Sequence, residues 1–172
     1  SRAAHSSVAS AARAMDVDVV WVDADERGRM SGDATRAAVA RLSDAEVARV
    51  FAFVATAGTT NVGVVDDLTG VGEVARHIGA WFHVDGAYGA AALCAPSRRS
   101  LFTGIELADS FIVDPHKWLF APFDSCALVY RNPHIARAAH TQRAEYLDAL
   151  HVNDDWNPSD YAHHLSRRPR GD

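Results

Sequence analysis

Lys117 is the only lysine in a chain of 172 residues that carries sixteen arginines, and it stands in Asp114-Pro115-His116-Lys117-Trp118, just after the apolar run Phe111-Ile112-Val113. An amine, unlike a guanidinium, can lose its proton when desolvated and attack a carbonyl to form a Schiff base. Two other polar clusters close apolar runs in the same way. Thr56-Ala57-Gly58-Thr59-Thr60-Asn61 follows Val50 to Ala55, and Asp85-Gly86-Ala87 follows Trp81 to Val84. Thr60 precedes Asp85 by 25 residues and Asp85 precedes Lys117 by 32, each about one strand-helix-strand unit of roughly 30 residues. A hydroxyl, a carboxylate and an amine can therefore converge on one pocket.

The elements that would position them follow from the residue pattern. Ala3 to Met15, Ala-rich with spaced Val8 and Met15, predicts a helix, and Val17 to Val22 predicts a strand. Ser31-Gly32-Asp33 has the character of a helix start, with the helix running to about Leu42. Val50 to Ala55 is an uninterrupted β-prone run, as in a strand buried on both faces of a parallel sheet, and Asp67 to Ile78 predicts the next helix. Short strands are expected at Trp81 to Val84, Ser110 to Val113 and Cys126 to Tyr130, with helical stretches at Ala90 to Leu93 and Pro133 to Ala139. Only about a dozen residues, Pro115 and Pro122 among them, separate the last two strands. That is too few for a crossover helix, so an antiparallel member is expected there. His151 to Ser159 is polar and irregular. The alternation argues for an α/β fold, a mostly parallel sheet with helices on both faces.

In open sheets of this kind, ligands lie beyond the carboxyl ends of the strands. The trio found there suits pyridoxal 5'-phosphate: a lysine for the Schiff base, and a carboxylate that keeps the pyridine nitrogen protonated so that the ring accepts electrons. Gly86 and Ala87 are small enough to let a ring pack against backbone. Each residue has a plainer reading as well. Asp85 could cap the helical segment that follows it, Thr59 and Thr60 could serve the turn at Gly58, and His116 could be a capping or core imidazole. The lysine at the neighbouring strand end favours the functional reading.

Thr56-Ala57-Gly58-Thr59-Thr60, His83-Val84-Asp85-Gly86-Ala87-Tyr88 and Asp114-Pro115-His116-Lys117-Trp118 resemble motifs of the group II pyridoxal-phosphate-dependent amino-acid decarboxylases, most closely the aromatic-L-amino-acid branch. The resemblance extends from Ala4-His5-Ser6-Ser7-Val8 to Asn157-Pro158-Ser159-Asp160-Tyr161 and Arg167-Arg168. It implies the aspartate-aminotransferase-like fold, fold type I, with active sites at a homodimer interface. By motif, Lys117 would hold the internal aldimine with His116 beside it, Asp85 would pair with the pyridine nitrogen, Thr60 would lie by the cofactor hydroxyl, and His5 would stack on the ring near the substrate carboxylate. Tyr146, in Glu145-Tyr146-Leu147, corresponds to the tyrosine that protonates the carbanion after carbon dioxide leaves; its plainer reading is helix packing with Leu150. Asp114 stands where animal members place Asn near the phosphate, a departure that calls for a compensating neighbour such as His116 or a backbone donor. The resemblance further implies that residues 1–172 are part of a large cofactor-binding domain, whose phosphate-binding segment lies upstream and whose small domain lies downstream. Alone, the segment is expected to be inactive.

Composition narrows the field. At 48% hydrophobic and 23% charged, with a net charge of −5, the chain reads as one globular domain with no field to gather nucleic acid or anionic lipid. The basic run Arg167-Arg168-Pro169-Arg170 is short. Val50 to Ala57 is the longest apolar stretch, far below the roughly 20 residues that span a bilayer. Cys94 and Cys126 form neither a metal pair nor a disulfide framework, which suits a reducing compartment such as the cytoplasm. Three other functions stay open: a different fold type I reaction, such as transamination or aldol cleavage; an inactive remnant; and a metal-dependent hydrolase built from His83, Asp85, Asp114 and His116.

Overall fold

A computed structural model describes residues 1–140. Its centre is a four-stranded sheet in the order β1 (Ala52–Thr56), β2 (Trp81–Asp85), β3 (Ser110–Val113) and β4 (Ala127–Tyr130). The first three strands are parallel, and β4 runs antiparallel to β3, as the short, proline-containing connection requires. Register places Thr56 beside Asp85 and Asp85 beside Ile112, so the carboxyl ends of the parallel strands finish level.

Helices α1 (Ser6–Ala14), α2 (Gly32–Val39), α3 (Asp44–Val47) and α4 (Leu68–Ile78) each begin at a side chain that accepts a backbone N–H: His5, Ser31, Ser43 and Asp67 in turn. α4 stops at Gly79, whose φ of 78° is left-handed. Its buried residues Leu68, Val71, Val74 and Ala75 join Phe53 and Ala55 of β1 and Phe82 and Val84 of β2 in the core. The helix turns Gly72 toward Phe82, whose ring lies 3.0 Å from where a Cβ would stand. Burying side chains of this size contributes about 1.5–3 kcal/mol each, which makes the α4 face the main source of stability.

Two adjacent carboxylates tie the start of α2 to the sheet. Asp66 accepts from the Met30 and Thr56 N–H groups, both at 2.7 Å. Asp67 accepts from Gly32 and Gly70, both at 3.0 Å. Burial pushes the Asp66 carboxyl above its ordinary pKa, and its two N–H donors oppose that shift.

Val17 to Val22, expected as a strand, has no ladder. Val22 enters the core while Val19, Val20 and Trp21 remain exposed. β-Prone residues supply only half of a strand; the other half is an adjacent edge, and none pairs with this segment among the described residues. Gly89 to Cys94, covering the expected helix at 90–93, is a 3₁₀ stretch, and a second spans Pro96–Phe102. Ser1–Arg131 make one compact unit, while α5 (Pro133–His140), at the expected place, belongs to another.

Candidate active site

Alternation along the strands divides their side chains between two surfaces. Phe53, Ala55, Phe82 and Val84 go to the α4 side. By register, Ala52, Val54 and Thr56 of β1, Trp81, His83 and Asp85 of β2, and Ser110 and Ile112 of β3 share the opposite side. On that side Ala52, Val54, Thr56, His83, Asp85 and Ile112 border an open cavity of about 1080 Å³, whose wall also includes His5, Thr60, Ala87, Asp114 and Lys117. The residues expected from three separate strand ends thus meet at one cavity.

The loops after β1 and β2 come together because both carry glycine at their contact. Gly58 has a φ of 101°, and a Cβ there would stand 2.5 Å from the Gly89 Cα; a Cβ on Gly89 would stand 2.3 Å from the Ala57 carbonyl oxygen. No larger residue fits either place. Thr59, expected as a turn residue, is buried, and its Oγ1 accepts from the Val64 N–H at 3.1 Å, closing the turn that leaves Thr60 exposed at the cavity. Asp85 accepts the Ala87 N–H at 3.2 Å but does not cap the helical segment as its plainer reading expected: the 3₁₀ stretch at Gly89–Cys94 starts at Tyr88 with no side-chain cap. The Asp114 N–H donates to the Ala87 carbonyl at 3.0 Å, joining the second strand end to the third.

Lys117 Nζ lies 2.8 Å from Asp114 Oδ2. This pair supplies the compensation that the Asp114 carboxylate requires, with His116 Nε2 more distant at 4.0 Å. His116 is not part of the cavity wall: its Nδ1 accepts from the Ser125 N–H at 2.9 Å and its ring packs edge-on against Phe123. His5 caps α1 through Nδ1, 3.2 Å from the Ser7 nitrogen, and remains exposed at the cavity. Tyr146 lies outside the described residues.

Three buried oxygens of residues that line the cavity, Ser1 Oγ, Thr56 Oγ1 and Asp114 Oδ1, have no hydrogen-bond partner. Buried polar atoms of this kind are costly unless a ligand or water meets them. With a primary amine, a carboxylate and the small Ala87, the wall fits a polar, planar aldehyde. A three-ligand metal cluster is not formed among the described residues, and the two imidazoles of the hydrolase alternative turn to separate partners, Ser110 and Ser125.

Sequence reasoning passed over Ser110, which accepts from Trp81 Nε1 at 2.9 Å and lies 2.8 Å from His83 Nδ1. Strand alternation placed His83 on the Asp85 side, but nothing local marked the serine opposite it. The stack of Tyr88 on Trp118, with centroids 5.3 Å apart, also joins residues from two different strand ends.

A lysine and a carboxylate thus stand at adjacent parallel strand ends and border one cavity in an α/β fold. The chain belongs to the pyridoxal-dependent decarboxylase family, whose conserved domain matches residues 1–170. It is 38% identical to an aromatic-L-amino-acid decarboxylase of Drosophila lebanonensis over 93% of its own length and 39% of the relative's. Among solved structures it resembles mouse CSAD in apo form (TM-score 0.77, 34% identity, 96% of this chain and 35% of that one). It also resembles Oryza sativa TDC, solved with PLP and tryptamine (TM-score 0.76, 30% identity, 88% of this chain and 33% of that one). The chain therefore spans 39% of the first curated relative and about a third of these structures. These likenesses establish fold type I.

Proposed function

We propose that this chain forms the cofactor-holding core of a pyridoxal 5'-phosphate-dependent decarboxylase that converts an aromatic L-amino acid to its amine and carbon dioxide. The observation that carries the reading is that Lys117 and Asp85 border the same cavity. When bound, the cofactor supplies a carbonyl for amines and a ring that accepts electrons. Lys117 offers Nζ as the covalent anchor, and Asp114 steers that amine through their ion pair. Asp85 holds a proton at the ring nitrogen, where a preorganised carboxylate has its largest electrostatic effect. Thr60 would meet the ring hydroxyl, Ala87 would leave room for the ring, and His5 would cover it near the substrate carboxylate, all three lining the cavity. His116 supports this set from behind by fixing the loop at Ser125. Tyr146 delivers the proton to the substrate Cα.

Aromatic substrates are favoured by the relative named for them and by the rice structure holding tryptamine. With this reading goes a homodimer in the cytoplasm. The exposed apolar surface of Trp118, Leu119, Phe120 and Phe123 beside the site supports the dimer, and two free cysteines suit a reducing compartment.

The test is borohydride reduction of the complete protein with pyridoxal phosphate, followed by peptide mapping and measurement of carbon dioxide from tryptophan, tyrosine, phenylalanine and DOPA. The adduct is expected on Lys117 and absent in Lys117→Ala. Tyr146→Phe is expected to keep the adduct while slowing amine formation. An adduct elsewhere, or turnover without carbon dioxide release, would refute the assignment.

A further inference from the structure

His5 does two things at once: it caps α1 and it borders the cavity. Its backbone is extended, with φ −60° and ψ 141°, and its carbonyl accepts from the Val8 N–H at 3.1 Å, which starts the helix. Its ring closes the first turn, with Nδ1 3.2 Å from the Ser7 nitrogen and 2.8 Å from Ser7 Oγ. Ser, Thr, Asp and Asn are the preferred caps, because each brings a side-chain oxygen that can accept from the first-turn N–H groups. An imidazole nitrogen accepts only while it carries no hydrogen.

The two contacts of Nδ1 differ in what they determine. A hydroxyl can turn its hydrogen toward the ring or away from it, so Ser7 Oγ is compatible with either tautomer. The Ser7 backbone N–H has no such freedom: it only donates, and the helix fixes its direction. A hydrogen on Nδ1 would face that N–H and replace the cap with a contact between two donors. The neutral, capping ring therefore carries its hydrogen on Nε2. That atom has no hydrogen-bond partner among the described residues.

We propose that the first turn of α1 is a positioning device for His5, which commits Nδ1 to the cap and leaves Nε2–H as the one donor that the neutral ring offers to a ligand. The ligand atom suited to it is an acceptor, which a substrate supplies in its carboxylate and not in its ammonium. The same cavity is lined by two residues whose buried hydroxyls have no partner, Ser1 and Thr56, so its wall is unsatisfied in other places as well. That the acceptor is the substrate carboxylate rests on the proposed function; the tautomer does not.

The two parts are tested separately on the complete protein. In the cofactor-free form, histidine ring-nitrogen NMR shifts, assigned by loss of the signal in His5→Gln and read at a pH where the ring is neutral, are expected to show hydrogen on Nε2 of His5. Ser7→Ala removes the hydroxyl and keeps the backbone N–H, and is expected to leave that tautomer in place. A hydrogen on Nδ1, a mixture of tautomers, or a change of tautomer in Ser7→Ala would overturn the inference.

Asparagine and glutamine then separate the two tasks of the ring. Asn puts an amide oxygen near the Nδ1 place and is itself a preferred cap, but has nothing at Nε2; Gln carries its amide one carbon farther out and is not a preferred cap. Binding of 3-phenylpropionate, and of 3-phenylpropanol as the same skeleton without a carboxylate, is measured by calorimetry on protein loaded with pyridoxal phosphate. His5→Asn is expected to keep the unfolding midpoint and weaken binding of the acid about tenfold, the scale of one hydrogen bond to a charged group, while binding of the alcohol is unchanged. His5→Gln is expected to lower the midpoint and retain most of the affinity for the acid. An equal effect on acid and alcohol in His5→Asn, or unchanged binding of the acid, would remove the role of Nε2–H. Failure of the unsubstituted protein to bind the cofactor would instead refute the proposed function, and the tautomer measurement would still judge the cap.

Discussion

The two surfaces of the sheet use the same strands for opposite purposes. On the α4 side, Phe53, Ala55, Phe82 and Val84 are buried against helix residues and leave no polar atom to satisfy. On the other side, one residue away along each strand, stand Thr56, Trp81, His83, Asp85 and Ser110, with a buried hydroxyl that has no partner and an imidazole held by a serine. Stability is concentrated on the first surface and chemistry on the second, and the period of two residues keeps them apart. A substitution should therefore damage folding or function according to the parity of its position.

The largest expected effect that tests this division is on the apolar side. Phe82→Ala removes a ring that is 1% exposed and is expected to cost about 3–5 kcal/mol in denaturant unfolding, while any protein that folds still forms the Lys117 adduct. A folded variant without the adduct would show that the surfaces are not independent. Next comes Asp85→Ala, expected to lower the decarboxylation rate by at least about 10²-fold with a normal unfolding midpoint. Normal turnover would place the electrostatic partner of the ring elsewhere. The smallest effect sharpens the comparison: Thr56→Val replaces an unpartnered buried hydroxyl by a methyl and is expected to stabilise the cofactor-free protein by about 1 kcal/mol. Its melting temperature should rise, and a fall would mean the hydroxyl already has a structural partner.

Much of this division was legible in the sequence. The strands at 81–84 and 110–113, the α4 boundaries and the antiparallel β4 followed from local pattern, and the three strand-end clusters converge as their spacing indicated. What failed did so where the decisive neighbour is distant in sequence. Val17 to Val22 has the composition of a strand without its ladder. Asp66 is a buried bridge between Met30 and Thr56, 36 and 10 residues away, and no local signal distinguishes it from the capping Asp67 beside it. His116 adjoins the lysine in sequence, yet its ring turns toward Ser125 and Phe123, because consecutive loop residues need not face the same way.

The parallel stack of Tyr88 on Trp118, tilted only 5° apart, ties a residue three beyond Asp85 to the residue next to Lys117. Such a pair is worth about 0.5–1.5 kcal/mol beyond its area. It also gives the site an optical voice of its own. Light absorbed by Tyr88 can pass to Trp118 over this short distance, so the tyrosine contribution to tryptophan emission reports whether the loops are together. A chromophore held at Lys117 would quench that emission from the adjoining residue, and filling of the site becomes visible in the protein's native fluorescence without any attached dye.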